Sequence, residues 1–287
     1  MKIVTDFDGT LTDIHGEYNL LLDIINKRLE KKHFPVDRYQ QLFDAAIREI
    51  KKDYMAYGWM DHDRITAYSD EDLFMNIIAG MKIVDNWLCK RSEYSDLYDI
   101  LVSQNTSLME ISEYCYFIMH TMPLSEMNTP TRDAVITIQS LLEHGHEVVV
   151  VSNSPSARIV QKLNHVGLQP AEHDIDPRAI FKVRGNAAKF KLADAPIRYD
   201  FGRPVDIHRP QYQKILIEEK PDIVIGDVFS LDLALPAALT ETIPELKNTR
   251  IALLERNYTP EWAIKAVSDH PNGRIYQDFG QIMNDLG

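Results

Sequence analysis

Met1-Lys2-Ile3-Val4-Thr5-Asp6-Phe7-Asp8-Gly9-Thr10-Leu11-Thr12-Asp13 opens the chain. Ile3, Val4 and Thr5 make a short β-prone run that predicts a buried strand. The run ends in two acids, Asp6 and Asp8, followed by Gly9. Acids at the carboxyl end of a strand in an open α/β sheet face the crevice where such folds take ligands. A polar strand end followed by an ordinary Asp-Gly turn reads the same way, so the remainder of the chain has to decide.

Two further runs repeat the pattern. Val148 to Val151 is a continuous β-branched stretch, as expected of a strand buried on both faces, and it runs into Ser152-Asn153-Ser154-Pro155. Asp222 to Ile225 is a third apolar strand, and it runs into Gly226-Asp227, with Asp232 five positions later. A helix over Thr131 to His144, closed by Gly145, precedes the second strand. Arg250 to Glu255 and Arg274 to Tyr276 read as strands, with helices from Pro260 to Val267 and from Phe279. Strand–helix alternation predicts a three-layer α/β/α Rossmann-like core with a parallel sheet. Between the first two strands the periodicity is helical: Leu20–Leu29, Tyr39–Ile50, Asp70–Leu88, Ser95–Val102 and Leu108–His120. The chain therefore divides into a core of residues 1–16 and 128–287 and an inserted all-helical domain of residues 17–127.

At 287 residues with 45% hydrophobic and 26% charged side chains, the chain has the composition of an ordinary globular protein. The net charge of −12 argues against general binding to nucleic acid or to an anionic membrane, while leaving room for a small anionic ligand. No run is apolar enough to span a bilayer, and Cys89 and Cys115 offer neither a disulfide framework nor a metal-binding spacing. The expected location is the cytoplasm. Oligomeric state is not legible.

The Asp6-Phe7-Asp8-Gly9-Thr10-Leu11 stretch resembles motif I of the haloacid dehalogenase-like hydrolase superfamily, in its phosphatase form. The resemblance implies that Asp6 is a nucleophile toward phosphorus and Asp8 a general acid and then base. Gly9 and Thr10 fall with the substrate-binding part of that loop. Ser152 matches motif II, which would hold the phosphoryl group with the neighbouring Asn153; a helix N-cap is the competing reading of the serine. Gly226-Asp227 with Asp232 matches motif IV, which makes Asp6, Asp8, Asp227 and Asp232 the implied metal-binding set. The inserted helices stand where this superfamily carries a type 1 cap.

Charge supports a metal. Two carboxylates about 4 Å apart repel by roughly 4 kcal/mol at an effective dielectric near 20, so converging acids need a cation or bound protons. All the donors are hard oxygens, which selects Mg²⁺ over Zn²⁺. The expected activity is Mg²⁺-dependent hydrolysis of a small phosphorylated metabolite through an aspartyl-phosphate. The alternatives are a phosphotransferase or phosphomutase on the same core, or a phosphate-ligand binding protein without catalysis.

The cation of motif III departs from the usual pattern. Pro210 suits a first helical position and puts Arg209 at the helix entrance, with Lys214 five residues on; Arg209 is the expected phosphate ligand and Lys214 the alternative. Phe181 to Leu192, with Lys182, Arg184, Lys189 and Lys191, alternates around Gly185-Asn186 and predicts a basic β-hairpin, either solvated or in contact with an anion or a second subunit. The aromatic stretch Tyr54 to His62 is either core or a specificity pocket.

Overall fold

The computed structural model describes residues 1–123 and 129–286. It separates into two compact units, one of Met1–Asp13, Met60–Ala67 and Asn128–Gly287, the other of Ile14–Trp59 and Tyr68–Met127. The first break comes at Asp13, three residues before the expected one. The second expected boundary, at 127/128, lies outside the described residues.

In chain order the elements begin with β1 (Lys2–Thr5), α1 (Ile14–Lys31) and α2 (Val36–Ile50). There follow β2 (Gly58–Asp61), β3 (Arg64–Tyr68), α3 (Leu73–Lys90), α4 (Ser95–Ser103) and α5 (Leu108–Thr121). The chain continues with α6 (Arg132–Glu143), β4 (Glu147–Val151), α7 (Ser156–His165), β5 (Ala171–Glu172) and β6 (Phe181–Arg184). Next come β7 (Arg198–Asp200), β8 (Pro204–Asp206), α8 (Pro210–Glu219), β9 (Ile223–Gly226) and α9 (Ala234–Thr242). The last are β10 (Arg250–Leu254), α10 (Glu261–Asp269), β11 (Gly273–Tyr276) and a closing 3₁₀ turn, Phe279–Asp285.

The first unit is built on a seven-stranded sheet in the order β11-β10-β9-β1-β4-β6-β5, with each adjacent pair parallel. Parallel crossovers require helices on the sheet faces, which is why its strands are apolar on both sides. One face packs Ile3, Val148, Val150, Ile223 and Ile225 against Ala134, Ile138 and Leu141 of α6 and Ile159 and Leu163 of α7. Val4, Val149, Val151 and Val224, which alternate with them, are buried toward the other face. From β1 the chain moves out to β4, β6 and β5, and later returns to lay β9, β10 and β11 on β1's other side. The crevice between the carboxyl ends of β1 and β9 is the topological switch point.

The second unit is helical. Leu21, Ile25 and Leu29 of α1, and Tyr39, Leu42, Phe43 and Ala46 of α2, recur at helical spacing and are buried. A reciprocal Ser107–Glu110 capping box starts α5.

Two local expectations are corrected, and one open alternative is narrowed. The inserted stretch is not entirely helical, because β2 and β3 form a hairpin whose His62 (φ 51°) and Asp63 (φ 61°) are both left-handed. That is the geometry of a primed two-residue turn, written here without the Asn-Gly or Asp-Gly signature that would announce it. Residues 181–192 are not a hairpin: Phe181–Arg184 joins the main sheet parallel to β4, and a loop follows. The Tyr54–His62 stretch is for the most part not core, since Tyr54, Tyr57 and Trp59 are half-buried and Met55 and Met60 exposed.

Candidate active site

β1 and β9 are hydrogen-bonded neighbours with Thr5 opposite Ile225, so Asp6 and Asp227 leave the sheet side by side. The Asp6 N–H still donates to the Ile225 carbonyl at 2.9 Å. The loop then bends back over Asp227. Gly9 has φ +81°, and a Cβ there would stand 2.3 Å from Asp227 Oδ2, so backbone conformation and space both require glycine. Thr10 Oγ1 donates to Asp227 Oδ1 at 2.8 Å, and the Tyr258 hydroxyl donates to Oδ2 at 2.7 Å. Arg256 fastens the loop from outside, donating to the Gly9 carbonyl at 2.9 and 2.6 Å and to the Thr10 carbonyl at 3.0 Å. Thr10, expected to bind substrate, thus orients a carboxylate.

After Asp227 the chain makes a π-helical turn, Phe229–Leu233, a wide turn that recurs at functional sites. It carries Asp232 back to the strand end, where Oδ2 accepts from the Val228 N–H at 3.1 Å. Gly226 makes room, since a Cβ there would lie 2.3 Å from the Cβ of Asp232. Asp6, Asp227 and Asp232 each present a carboxylate oxygen within 4.8 Å of the others. All three are buried.

One ammonium enters this group. Lys189 Nζ is 2.6 Å from Asp6 Oδ1 and 2.8 Å from Asp232 Oδ1. Burial alone would lower the Lys189 pKa, but Asp232 and Asp6 hold it above the ordinary lysine value. Burial pushes the Asp6 carboxyl well up; Lys189 opposes this, while Asp232, Asp227 and Asp8 add to it. Asp227 is raised to about 6, by burial first and then by Asp232, against the hydrogen bonds from Tyr258 and Thr10 and the charge of Arg256. Three carboxylates against one contacting ammonium leave this pocket short of positive charge.

Asp8 takes a different direction. Its Oδ2 accepts from Ser154 Oγ at 3.0 Å and Ser152 Oγ at 3.3 Å, and Lys162 Nζ lies 4.0 Å from Oδ1. The expectation that the Asp8 side chain joins the metal-binding set is therefore corrected: among the described residues that group is Asp6, Asp227 and Asp232. Ser152 stands at the end of β4, facing Asp8 across the crevice. Asn153 points elsewhere, its Oδ1 accepting from the Lys189 N–H at 2.7 Å.

The motif III expectation is also corrected. Arg209 is fully buried at the entrance of α8, and its guanidinium donates to the carbonyls of Asp206, Lys189, Leu231 and Thr66 rather than opening onto the crevice. Lys214 lies on the exposed side of α8, 3.8 Å from Glu218. The cation at the acids is Lys189, from the segment expected to be a basic hairpin. The other three cations of that segment are likewise paired, Lys182 and Arg184 with Glu219 and Lys191 with Asp61. The signal for Lys189 was the concentration of basic residues in an acidic chain, which could not single out one of four.

No family model matches the chain, and no curated protein does. Among solved structures it is similar to a predicted phosphoglycolate phosphatase from Haemophilus somnus, at 15% identity over 99% of this chain and 97% of that one, with a TM-score of 0.47. A magnesium-bound protein of Bacillus subtilis described as a HAD-hydrolase gives 11% identity over 99% and 97%, with a TM-score of 0.48. A haloacid dehalogenase-like family hydrolase from Xanthomonas campestris gives 15% over 100% and 90%, with a TM-score of 0.42. These are what the chain is similar to; the reading of its function rests on the side chains at the strand ends.

Proposed function

We propose that this chain is a Mg²⁺-dependent phosphatase of the haloacid dehalogenase type, hydrolysing a small phosphorylated metabolite through an aspartyl-phosphate on Asp6. The observation that carries the reading is the meeting of Asp6, Asp227, Asp232 and Lys189 at one switch point, with Asp8 two residues along on the two serines. The donor set suits a hard divalent cation: three carboxylates and one ammonium leave an excess of two negative charges in direct contact, all on oxygen. Asp6, Asp227 and Asp232 would hold such a cation, which would supply charge neutralisation and orientation for the transferring phosphoryl group.

The chain's own residues account for the rest. A carboxylate oxygen of Asp6 attacks phosphorus, and the bond to the ester oxygen breaks as Asp8 delivers a proton to the departing alkoxide. Asp8 then takes a proton from water, whose oxygen attacks phosphorus; the bond to Asp6 breaks and inorganic phosphate leaves. Lys189 favours the charged form of Asp6, against the burial that raises its pKa. The Ser152 hydroxyl donates to Asp8 in the free protein, and in this reading turns its one proton to a phosphoryl oxygen when substrate enters.

The test is a panel of phosphomonoesters with Mg²⁺, reading free phosphate from the wild type and from Asp6→Asn. Release by the wild type, lost in the variant and on chelation, is expected. Release that survives Asp6→Asn overturns the reading. Transfer to an added alcohol or sugar without free phosphate moves it to a phosphotransferase, and binding without turnover to a ligand-binding protein.

A further inference from the structure

Lys189 has to reach Asp6 and Asp232 together, yet it belongs to no helix or strand. It follows Asn186 (φ 52°) and Ala188 (φ 50°), two left-handed residues in a loop with no sheet ladder to fix it. Main-chain hydrogen bonds from Asn186 to Ser154 and from Ala187 to Ser152 anchor the approach to it, and at Lys189 itself side chains take over. Asn153 Oδ1 accepts the Lys189 N–H at 2.7 Å, and Arg209 Nη1 donates to the Lys189 carbonyl at 2.7 Å. The same Nη1 lies 3.4 Å from the carbonyl of Leu231, the residue before Asp232. Nη2 donates to the Thr66 carbonyl at 2.6 Å and Nε to that of Asp206 at 3.2 Å. One rigid guanidinium thus spans the segment that presents the ammonium and the turn that presents its carboxylate partner. Tyr212 adds to the brace, donating to the Asp232 carbonyl at 2.8 Å with its ring 5.4 Å from Lys189 Nζ.

We infer that Asn153 and Arg209 are positioning residues that clamp the Lys189 main chain on both sides and so set the ammonium between Asp6 and Asp232. The inference rests on the phosphatase reading above. It reassigns two side chains whose sequence positions suggested phosphate ligands: both act one residue removed, through Lys189. Lysine cannot replace Arg209, because donors radiating from a single nitrogen do not span carbonyls on separate segments as the planar fork does.

The experiment is a double-mutant cycle on the full chain, with Mg²⁺ and the best phosphomonoester. Arg209→Gln and Arg209→Lys should each lower kcat/KM about 10²-fold, chiefly in kcat, the scale of an ångström's misplacement. Asn153→Ala should cost about tenfold, the loss of one hydrogen bond. In a Lys189→Ala background the Asn153 penalty should shrink to less than about twofold and the Arg209 penalties to less than about tenfold, the part left to Arg209 being its hold on the Leu231 carbonyl before Asp232. Where Lys189→Ala turns over too slowly, orthovanadate affinity closes the same cycle. Asn153, half-buried, keeps the test open if the Arg209 variants fail to fold.

Penalties that persist in full without Lys189, rescue by Arg209→Lys, or wild-type rates for Asn153→Ala would overturn the inference. Activity in the wild type that ignores Asp6→Asn would instead overturn the phosphatase reading, and the two failures are distinct.

Discussion

Two charge clusters, each centred on a buried carboxylate, sit in the same α/β unit and behave oppositely. At the strand ends Asp6, Asp227 and Asp232 crowd together, Lys189 contacts Asp6 and Asp232, and Asp6 and Asp227 are pushed up in pKa. Around Glu219 the charges balance: Glu147, Glu218 and Glu219 meet Lys2, Lys182 and Arg184. There burial alone would raise Glu219, but hydrogen bonds from Lys182 and Arg184 bring it below the ordinary glutamate range. Both clusters set carboxylates against cations. The satisfied one tightens the fold, while the unsatisfied one is short of positive charge that a cation can supply.

The sharpest way to break this contrast is to remove a member from each cluster. Lys189→Ala should lower kcat/KM about 10³-fold, the upper scale for losing one preorganised charge-stabilising donor. Glu219→Gln should leave kcat/KM within about twofold but destabilise the protein by about 3–5 kcal/mol in denaturant titration, because buried cations lose their partner. Equal loss of activity in both variants would erase the distinction.

A smaller effect separates the clusters by pH. Asp227, displaced from 3.8 to about 6, binds a proton in the folded state that the unfolded chain has already released. Stability of the cation-free protein should therefore fall as pH rises from about 4 to 6, by on the order of 3 kcal/mol, and Asp6 adds in the same sense. Glu219 works the other way: its contribution is present above the unfolded value of 4.5 and is lost as pH falls through the lower folded value. Thermal unfolding in chelator should show the upper slope in the wild type and a weaker one in Asp227→Asn. Saturating Mg²⁺ should flatten it in the wild type and raise stability by about 2.7 kcal/mol at a hundredfold excess over Kd. The smallest effect belongs to Lys214→Ala, an exposed pair partner, which should shift neither kcat/KM nor stability by more than about 0.5 kcal/mol.

What the sequence disclosed follows the same division. Asp6, Asp227 and Ser152 were legible because each ends a strand buried on both faces, and such strands are written as unbroken β-branched runs. Asp232 was legible from its spacing to Asp227. Lys189 was hidden because its loop is shaped by Asn153 and Arg209, partners 36 and 20 residues away along the chain. Arg209 was rightly placed at the entrance of α8, but the inward turn of its side chain depends on carbonyls of three distant segments, at Lys189, Leu231 and Thr66, besides that of nearby Asp206. Asp8 was recognised in position and mistaken in partner, since spacing cannot say that two hydroxyls would turn it from the triad. The hairpin β2–β3 was missed because His62 and Asp63 adopt a conformation usually announced by glycine or asparagine.

The central claim is that Asp6 carries the phosphoryl group. The most direct measurement is rapid acid quenching of the enzyme during turnover of its best phosphomonoester, followed by peptide mass analysis. The account predicts the added mass of one phosphoryl group on the peptide containing Asp6, absent in Asp6→Asn and labile to hydroxylamine. Turnover with the phosphoryl group on Ser152 or Ser154, or equally strong labelling of the Asp6→Asn protein, would contradict it.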